Sequence, residues 1–290
     1  MAAAINLASM KNPAALRQRV VAELLQLRKQ GLEVSLCETR RGQLTFLGCN
    51  IVQNSGVLPP DQAQGLLRCF LANALADIII THCEENLVHK LVQREYRTLS
   101  LEDRQKIIDL TLKKEGDLLP TPADRHARIV RKLVDYLKYS NTSIVEGFVR
   151  FRLQDYRREL QEAVGRAAND VEGEKEYLEF IQLLRYFVSL QEPQWSQIQV
   201  LLDSNGSFQL LDEQSRLLRL GNFWDGFGPH DDLTHADLLV SALVCMAPAT
   251  IILHLGTSAD LWFRDLITTI HDIFPEQVIT CSGCPLCRGT

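Results

Sequence analysis

The chain has 290 residues, is 46% hydrophobic and 23% charged, and carries a formal net charge of −5. These totals suit one large folded domain or two to three small ones and exclude a disordered, low-complexity chain. Net negative charge argues against a general nucleic-acid coat or a binder of anionic membranes, and leaves room only for a local basic patch.

Residues 3–8 read as a short strand. Pro13 opens a helix reaching Gln30, with Leu16, Val20, Leu24 and Leu27 on one face and Gly31 closing it. Glu33–Cys37 and Gln43–Cys49 read as two strands around Arg40-Arg41-Gly42, and 54–60 as a loop. From Asp61 to Leu190 the periodicity is helical. A long helix runs past His82, Ser100-x-x-Asp103 opens another, and residues 116–122 break the run. A basic helix then covers 125–139, and Ser143-x-x-Glu146 reads as the cap of the next. Gly173 punctuates the remaining helical stretch, which ends near Glu192-Pro193.

After Pro193 the pattern changes. Apolar runs 198–202 and 208–211 flank Asn205-Gly206, a hairpin signal because both turn residues need φ > 0. Thr234-x-x-Asp237 caps a helix to Met246, 250–255 is a strand, Thr257-x-x-Asp260 caps a helix to Phe274, and 277–280 is a last strand. Leu238–Leu255 holds no Asp, Glu, Lys or Arg over 18 residues, but Pro248 splits it into a buried helix and a buried strand, so no membrane span is expected there. The expected fold is α/β of the mixed α+β kind: an N-terminal α/β segment (1–56), a helical domain (57–192) and a C-terminal β-β-α-β-α-β unit (193–290) with right-handed crossovers.

The one group with evident chemical capacity is Cys281-x-x-Cys284-x-x-Cys287 at the end of the last strand. Thiolates at this spacing on a tight turn can converge on one soft metal ion, share an iron–sulfur cluster, or exchange as disulfides. A closed zinc site needs a fourth ligand, for which Cys245, His254, His271 or a partner molecule are candidates. Eight cysteines without a signal-peptide pattern at 1–12 point to free thiols in the cytoplasm. His230, Asp231, Asp232, His235 and Asp237 could hold a divalent cation, but a helix cap with solvated histidines accounts for them. Residues 125–166 hold ten Lys/Arg against five Asp/Glu. Phe148, Phe151 and Tyr156 interleave there with Arg150, Arg152, Arg157 and Arg158, a pattern that serves single-stranded nucleic acid or a helix with an outward charged face. Residues 170–192 carry six acids against two bases and could neutralise that block. No catalytic triad, phosphate loop, zinc-protease or dinucleotide motif is present in the sequence.

Ile144-Val-Glu-Gly-Phe-Val-Arg-Phe-Arg152, Glu176-Tyr-Leu-Glu-Phe-Ile181, Leu183-Leu-Arg-Tyr-Phe-Val188, Gln191-Glu-Pro193, Asp237–Leu243, Ala247-Pro248 and the terminal cysteines together resemble the YtxC family of sporulation proteins. The resemblance implies a role in sporulation and brings no catalytic residues. It leaves a non-enzymatic protein with protein partners as the leading expectation. Nucleic-acid binding through Arg150, Arg152, Arg157, Arg158 and Arg185, or metal or redox chemistry at the cysteines, are the alternatives. Apolar faces through Val145, Val149, Leu153, Tyr156, Leu160 and Val164, and through Tyr177, Phe180, Ile181, Leu184, Phe187 and Val188, are expected to pack as a helical hairpin, with Glu146, Glu176 and Glu179 as partners for Arg150, Arg152 and Arg185.

Overall fold

The computed structural model describes residues 4–54, 58–113, 118–203, 207–218, 234–255 and 262–288. The chain forms two compact units, Met1–Glu172 and Gly173–Thr290, of mixed α/β character.

The first unit begins with β1 (Ile5–Ser9), α1 (Pro13–Lys29), β2 (Leu32–Arg41) and β3 (Leu44–Asn54). Pro13 starts α1 where no amide partner is needed, and Gly31, at φ 85°, turns the chain into β2. β2 and β3 form an antiparallel ribbon through Gly42 at φ 61°, and β1 pairs antiparallel with β3. A short strand, β4 (Thr142–Ile144), adds parallel to β1, giving the order β2-β3-β1-β4. The helical part comprises α2 (Pro60–Ile78), a π-helical turn (Ile79–Cys83), α3 (Glu84–Glu95), α4 (Leu101–Leu112), α5 (Pro122–Tyr139), α6 (Val145–Arg152) and the start of α7 (Gln154–Ser189). Ile5, Leu7, Leu47, Leu71, Leu75, Leu133, Val149 and Leu160 share one core, so sheet and helices are a single hydrophobic body. Pro60–Glu95 is long and apolar enough to cross a membrane by length and composition. Its apolar face, Leu67, Leu71, Ala74, Leu75 and Ile78, is buried in this core.

Two local readings are corrected. Ser143 does not cap a helix: it lies in β4 with its hydroxyl buried and unpartnered, and Ile144 precedes α6 without a side-chain cap. Glu146 turns back to β1 instead, where its Oε1 accepts from Ser9 Oγ (2.9 Å) and from the Met10 and Lys11 amides (both 3.0 Å). Nor do the two apolar faces fold into a hairpin. Residues 154–189 are one continuous helix, with Tyr156 and Leu160 in the first unit's core and Ile181 and Val188 in the second's. Gly173 does not interrupt it, because the surrounding Ala, Glu, Leu and Gln outweigh the roughly 1 kcal/mol cost of a helical glycine.

One buried ionic network ties three helices of the first unit. Glu84, the first residue of α3, accepts from Arg125 Nη2 of α5 at 2.8 Å and from the Tyr156 hydroxyl of α7. Arg125 also donates to the Pro120 carbonyl at 2.5 Å. Arg125 and Glu84 are 8% and 6% exposed, so neither charge is relieved by water if the other is removed. Burial, reinforced by the Glu84 carboxylate, pushes the Tyr156 phenol well above its ordinary pKa, so it stays a donor.

The second unit contains the end of α7, β5 (Ile198–Leu202), β6 (Phe208–Leu211), α8 (His235–Met246), β7 (Ile251–Leu255), α9 (Trp262–Ile273) and β8 (Val278–Thr280). The sheet order is β6-β5-β7-β8, with the β5–β6 hairpin antiparallel and β5–β7–β8 parallel. The expected Asn205-Gly206 turn lies outside the described residues, but its two strands pair as a hairpin. Strand alternation sorts the faces. Ile198, Val200, Leu202, Ile251 and Leu253 pack with Leu239, Leu243, Ile270, Ile273 and Phe274, and so form the helix-covered face. Gln199, Leu201, Ile252 and His254 therefore point to the opposite face.

Replacing Arg125 by Ala leaves Glu84 charged and buried and should destabilise the first unit by about 3–5 kcal/mol. Tyr156→Phe should cost about 1.5–3 kcal/mol, the range for a hydrogen bond to a charged group. Urea unfolding followed by circular dichroism measures both, and a near-neutral Arg125→Ala would contradict the buried pairing.

Candidate metal centre

The centre is assembled on the sheet face opposite the one that the described helices cover. His254 occupies the fourth position of β7, opposite Leu201 of β5. β8 pairs Ile252 with Ile279 and Leu253 with Thr280, and the Cys281 amide continues the ladder by donating to the Leu253 carbonyl at 2.9 Å. In this register Cys281 comes level with His254. The chain then turns through Gly283, at φ 121°, a backbone conformation glycine tolerates and L side chains rarely adopt. The turn closes with the Cys287 amide on the Cys284 carbonyl (3.1 Å) and a short 3₁₀ helix, Leu286–Arg288.

Cys281, Cys284, Cys287 and His254 thereby bring four ligand atoms within 4.8 Å of one another. His254 Nδ1 lies 3.3 Å from Cys284 Sγ and 3.5 Å from Cys287 Sγ, and the two sulfurs are 3.8 Å apart. A tetrahedral zinc ion with Zn–S of about 2.3 Å and Zn–N of about 2.0 Å sets S···S edges near 3.8 Å and N···S edges near 3.5 Å. The donor set and these edges fit one zinc ion. Clusters of several irons hold their thiolates farther apart, and a disulfide needs about 2.05 Å.

The imidazole is oriented by a second layer of hydrogen bonds. Gln199 Nε2 donates to the Asp212 carbonyl at 3.0 Å and lies 3.3 Å from Ser215 Oγ. A carbonyl only accepts, so the amide NH₂ must face Asp212 and the amide oxygen must face His254. Gln199 Oε1 is 3.1 Å from His254 Nε2, which must then carry the proton. Nδ1 is left with a free lone pair aimed at the sulfurs, the orientation that metal-bound histidines gain from such partners. Burial holds the His254 pKa below its ordinary value, favouring the neutral form a metal requires. The Cys287 amide, joined by that of Leu286, holds the Cys284 thiol below its ordinary value.

Of the candidate fourth ligands, His254 joins the three cysteines, whereas Cys245 is exposed on α8 and His271 lies on α9. Gln199 was not singled out from the sequence. Its signal is that it is the one polar residue in Ile-Gln-Val-Leu-Leu, every member of which is buried. His230, Asp231 and Asp232 lie outside the described residues. Asp237 completes a capping box with Thr234, its carboxylate accepting from the Thr234 amide at 2.9 Å, which accounts for its position beside His235.

The basic residues do not gather into one site. Arg150 stacks on Phe151 with its guanidinium 5.3 Å from the ring centroid, and Arg152 stacks on Tyr136 at 5.5 Å. Arg185 belongs to the second unit and donates to the Asp272 carbonyl. Glu146, Glu176 and Glu179 are therefore not the partners of these three arginines. The acids that neutralise part of the block come from within it, not from 170–192: Arg128 forms a bidentate pair with Glu159 (both bonds 2.7 Å) and Lys132 pairs with Asp155 at 3.1 Å. Arg157 and Arg158 face a cleft with Lys90 and Arg94.

The family model described as YtxC-like matches residues 69–279, a span that contains Gln199 and His254 and ends just before Cys281. A protein of Bacillus subtilis (strain 168), "Uncharacterized protein YtxC", is 23% identical over 220 residues, covering 72% of this chain and 75% of its own length. No solved structure matches the chain.

Gln199→Leu keeps the volume but leaves the His254 N–H without its acceptor and the Asp212 carbonyl with the Ser215 amide alone. It should destabilise the second unit by about 1–3 kcal/mol. Denaturant unfolding followed by tryptophan fluorescence reads this directly, and an unchanged midpoint would contradict the Asp212–Gln199–His254 chain.

Proposed function

The chain belongs to the YtxC-like family, and from that premise we propose that it is a zinc-stapled, non-catalytic protein that works through protein contacts. The observation that carries this reading is the Cys₃His set. All four positions of a tetrahedral ion are taken by protein atoms, with His254 and Cys287 buried, so no coordination position is left for water or substrate. Such closure is the mark of a structural ion, which here ties the chain's end to β7. Cysteines that are all unpaired accord with a reducing compartment, and we place the protein in the cytoplasm. A role in spore formation is the part of the proposal that rests on the family resemblance.

The contact surface we assign is the outer face of α7. Phe180, Leu183, Tyr186, Phe187 and Leu190 are each at least half exposed, while Ile181 and Val188 of the same helix are buried in the second unit's core. A helix apolar on both faces calls for cover on both. Phe180, Leu183, Phe187 and Leu190 follow the 3-4-3 spacing of a coiled-coil seam, which is complementary to itself when run antiparallel. The occupant we assign is therefore a second copy of the chain.

Elemental analysis of protein purified without chelator should find one zinc per chain. Cys284→Ser should lose the metal and lower the melting temperature of the second unit, because zinc binding free energy is folding free energy. Metal-free protein with the wild-type melting temperature would overturn the staple. Sedimentation should detect a concentration-dependent dimer that Leu183→Glu abolishes, and a monomer at every concentration would overturn the assigned surface.

A further inference from the structure

The first unit contains a cleft unrelated to the thiolate centre. Its volume is about 410 Å³, and its lining includes Lys11, Lys90, Glu146, Val149, Arg150 and Arg157. It adjoins a second hollow of about 530 Å³ that shares Lys90 and Arg157 and adds Arg94 and Arg158. Four cations thus face one carboxylate in the first cleft; its Oε1 accepts from the Ser9 hydroxyl and the Met10 and Lys11 amides, while its Oε2 is buried without a hydrogen-bond partner.

The pairing pattern separates these cations from their neighbours. Arg125, Arg128, Lys132 and Lys138 each hold an acid within 4 Å. Among the described residues, no such ion pair is formed by Lys11, Lys90, Arg150 or Arg157. Lys11 and Lys90 both line this cleft, and the nearby Lys11 side chain, a competing donor of like charge, holds the Lys90 ammonium below its ordinary pKa. Two devices keep the like charges together. Glu146 fixes the backbone at Lys11. The π-helical turn at Ile79–Cys83 sets the phase of the helix after it, along which Cys83, Leu87 and Lys90 reach the same cleft. Single π-turns inside helices are frequent at functional sites.

We propose that Lys11, Lys90, Arg150 and Arg157 bind the phosphate of a small phosphorylated solute, with the apolar wall at Leu87 and Val149 receiving the remainder of that molecule. Two guanidiniums offer forked donors and two ammoniums offer point charges, the combination that suits a compact multivalent oxyanion. Its negative charge relieves the Lys11–Lys90 repulsion that the free protein bears. A nucleic-acid strand fits less well. It calls for open aromatic faces on which bases stack, whereas no Phe, Tyr or Trp side chain is among the described residues lining either hollow.

The test is calorimetric titration of the full chain with inorganic pyrophosphate and with inorganic phosphate, against sodium chloride at matched ionic strength. Saturable binding at one site per chain is expected. Lys90→Ala and Arg157→Ala should each weaken it by about tenfold or more, the effect of losing one charge-assisted hydrogen bond. Both positions lie at the surface, so both variants should keep the wild-type melting temperature in the absence of phosphate. Arg131→Ala, an exposed cation that does not line the cleft, should leave binding unchanged. Equal weakening by Arg131→Ala, or heats no larger than those of sodium chloride, would overturn the proposal. Binding of a single-stranded oligonucleotide with no binding of pyrophosphate would overturn it in favour of a strand-binding surface.

Discussion

A histidine can offer a metal only the nitrogen that carries no proton, and in the second unit that choice is made by a peptide carbonyl. The Asp212 carbonyl fixes the Gln199 amide, the Gln199 oxygen fixes the proton of His254 on Nε2, and Nδ1 is left facing three thiols. Each step is forced by donor and acceptor identity. The chain of contacts also explains why two polar side chains are tolerated in buried parallel strands, where an unpaired amide or imidazole costs several times what its hydrogen bond returns. β5, β6 and β7 are linked by this line of contacts as well as by their ladders, and β8 delivers the cysteines to its end.

Strand parity makes the arrangement possible. Had β7 slipped by one residue against β5, His254 would enter the helix-covered core and Leu253 would face the cysteines. The continuous apolar register of Ile198, Val200, Leu202, Ile251 and Leu253 prevents that slip, so hydrophobic burial on one face positions the polar chemistry on the other. Cys281 is held by the same logic, because its amide extends the β7–β8 ladder by one rung.

Much of this was legible in the chain. The C-terminal strand and helix order, the Thr234–Asp237 cap and the terminal cysteine turn come from period, capping chemistry and spacing, all local signals. The fourth ligand was narrowed to a short set but not chosen, since choosing it required the β7–β8 register, which is a non-local property. Gln199 carried a readable signal, a lone polar residue in a buried run, but a signal of burial does not name a partner. Ser143 misled because Ser-x-x-Glu satisfies the capping pattern, while β1 offered Ser143 a ladder position and offered Glu146 three donors. The supposed helical hairpin failed for a related reason. Gly173 is a weak breaker within fifteen or so strong helix formers, and periodicity cannot tell two packed helices from one helix with two apolar stretches.

The two units solve the problem of buried polarity differently, and the difference bears on where activity can reside. In the second unit the reactive groups are turned on one another: three thiols and an imidazole lie within 4.8 Å of one another, and the distances among His254, Cys284 and Cys287 suit a single tetrahedral ion. Were one ion held there, the protein would fill all four of its positions and leave none for a substrate. In the first unit the Glu84 carboxylate is satisfied by Arg125 and Tyr156, yet among the described residues Lys11, Lys90, Arg150 and Arg157 hold no acid. Repulsion between Lys11 and Lys90 is an unfavourable term that the fold nevertheless holds in place, by a carboxylate on one side and a π-turn on the other. We therefore assign stability to the cysteines of the second unit and recognition to the cleft of the first.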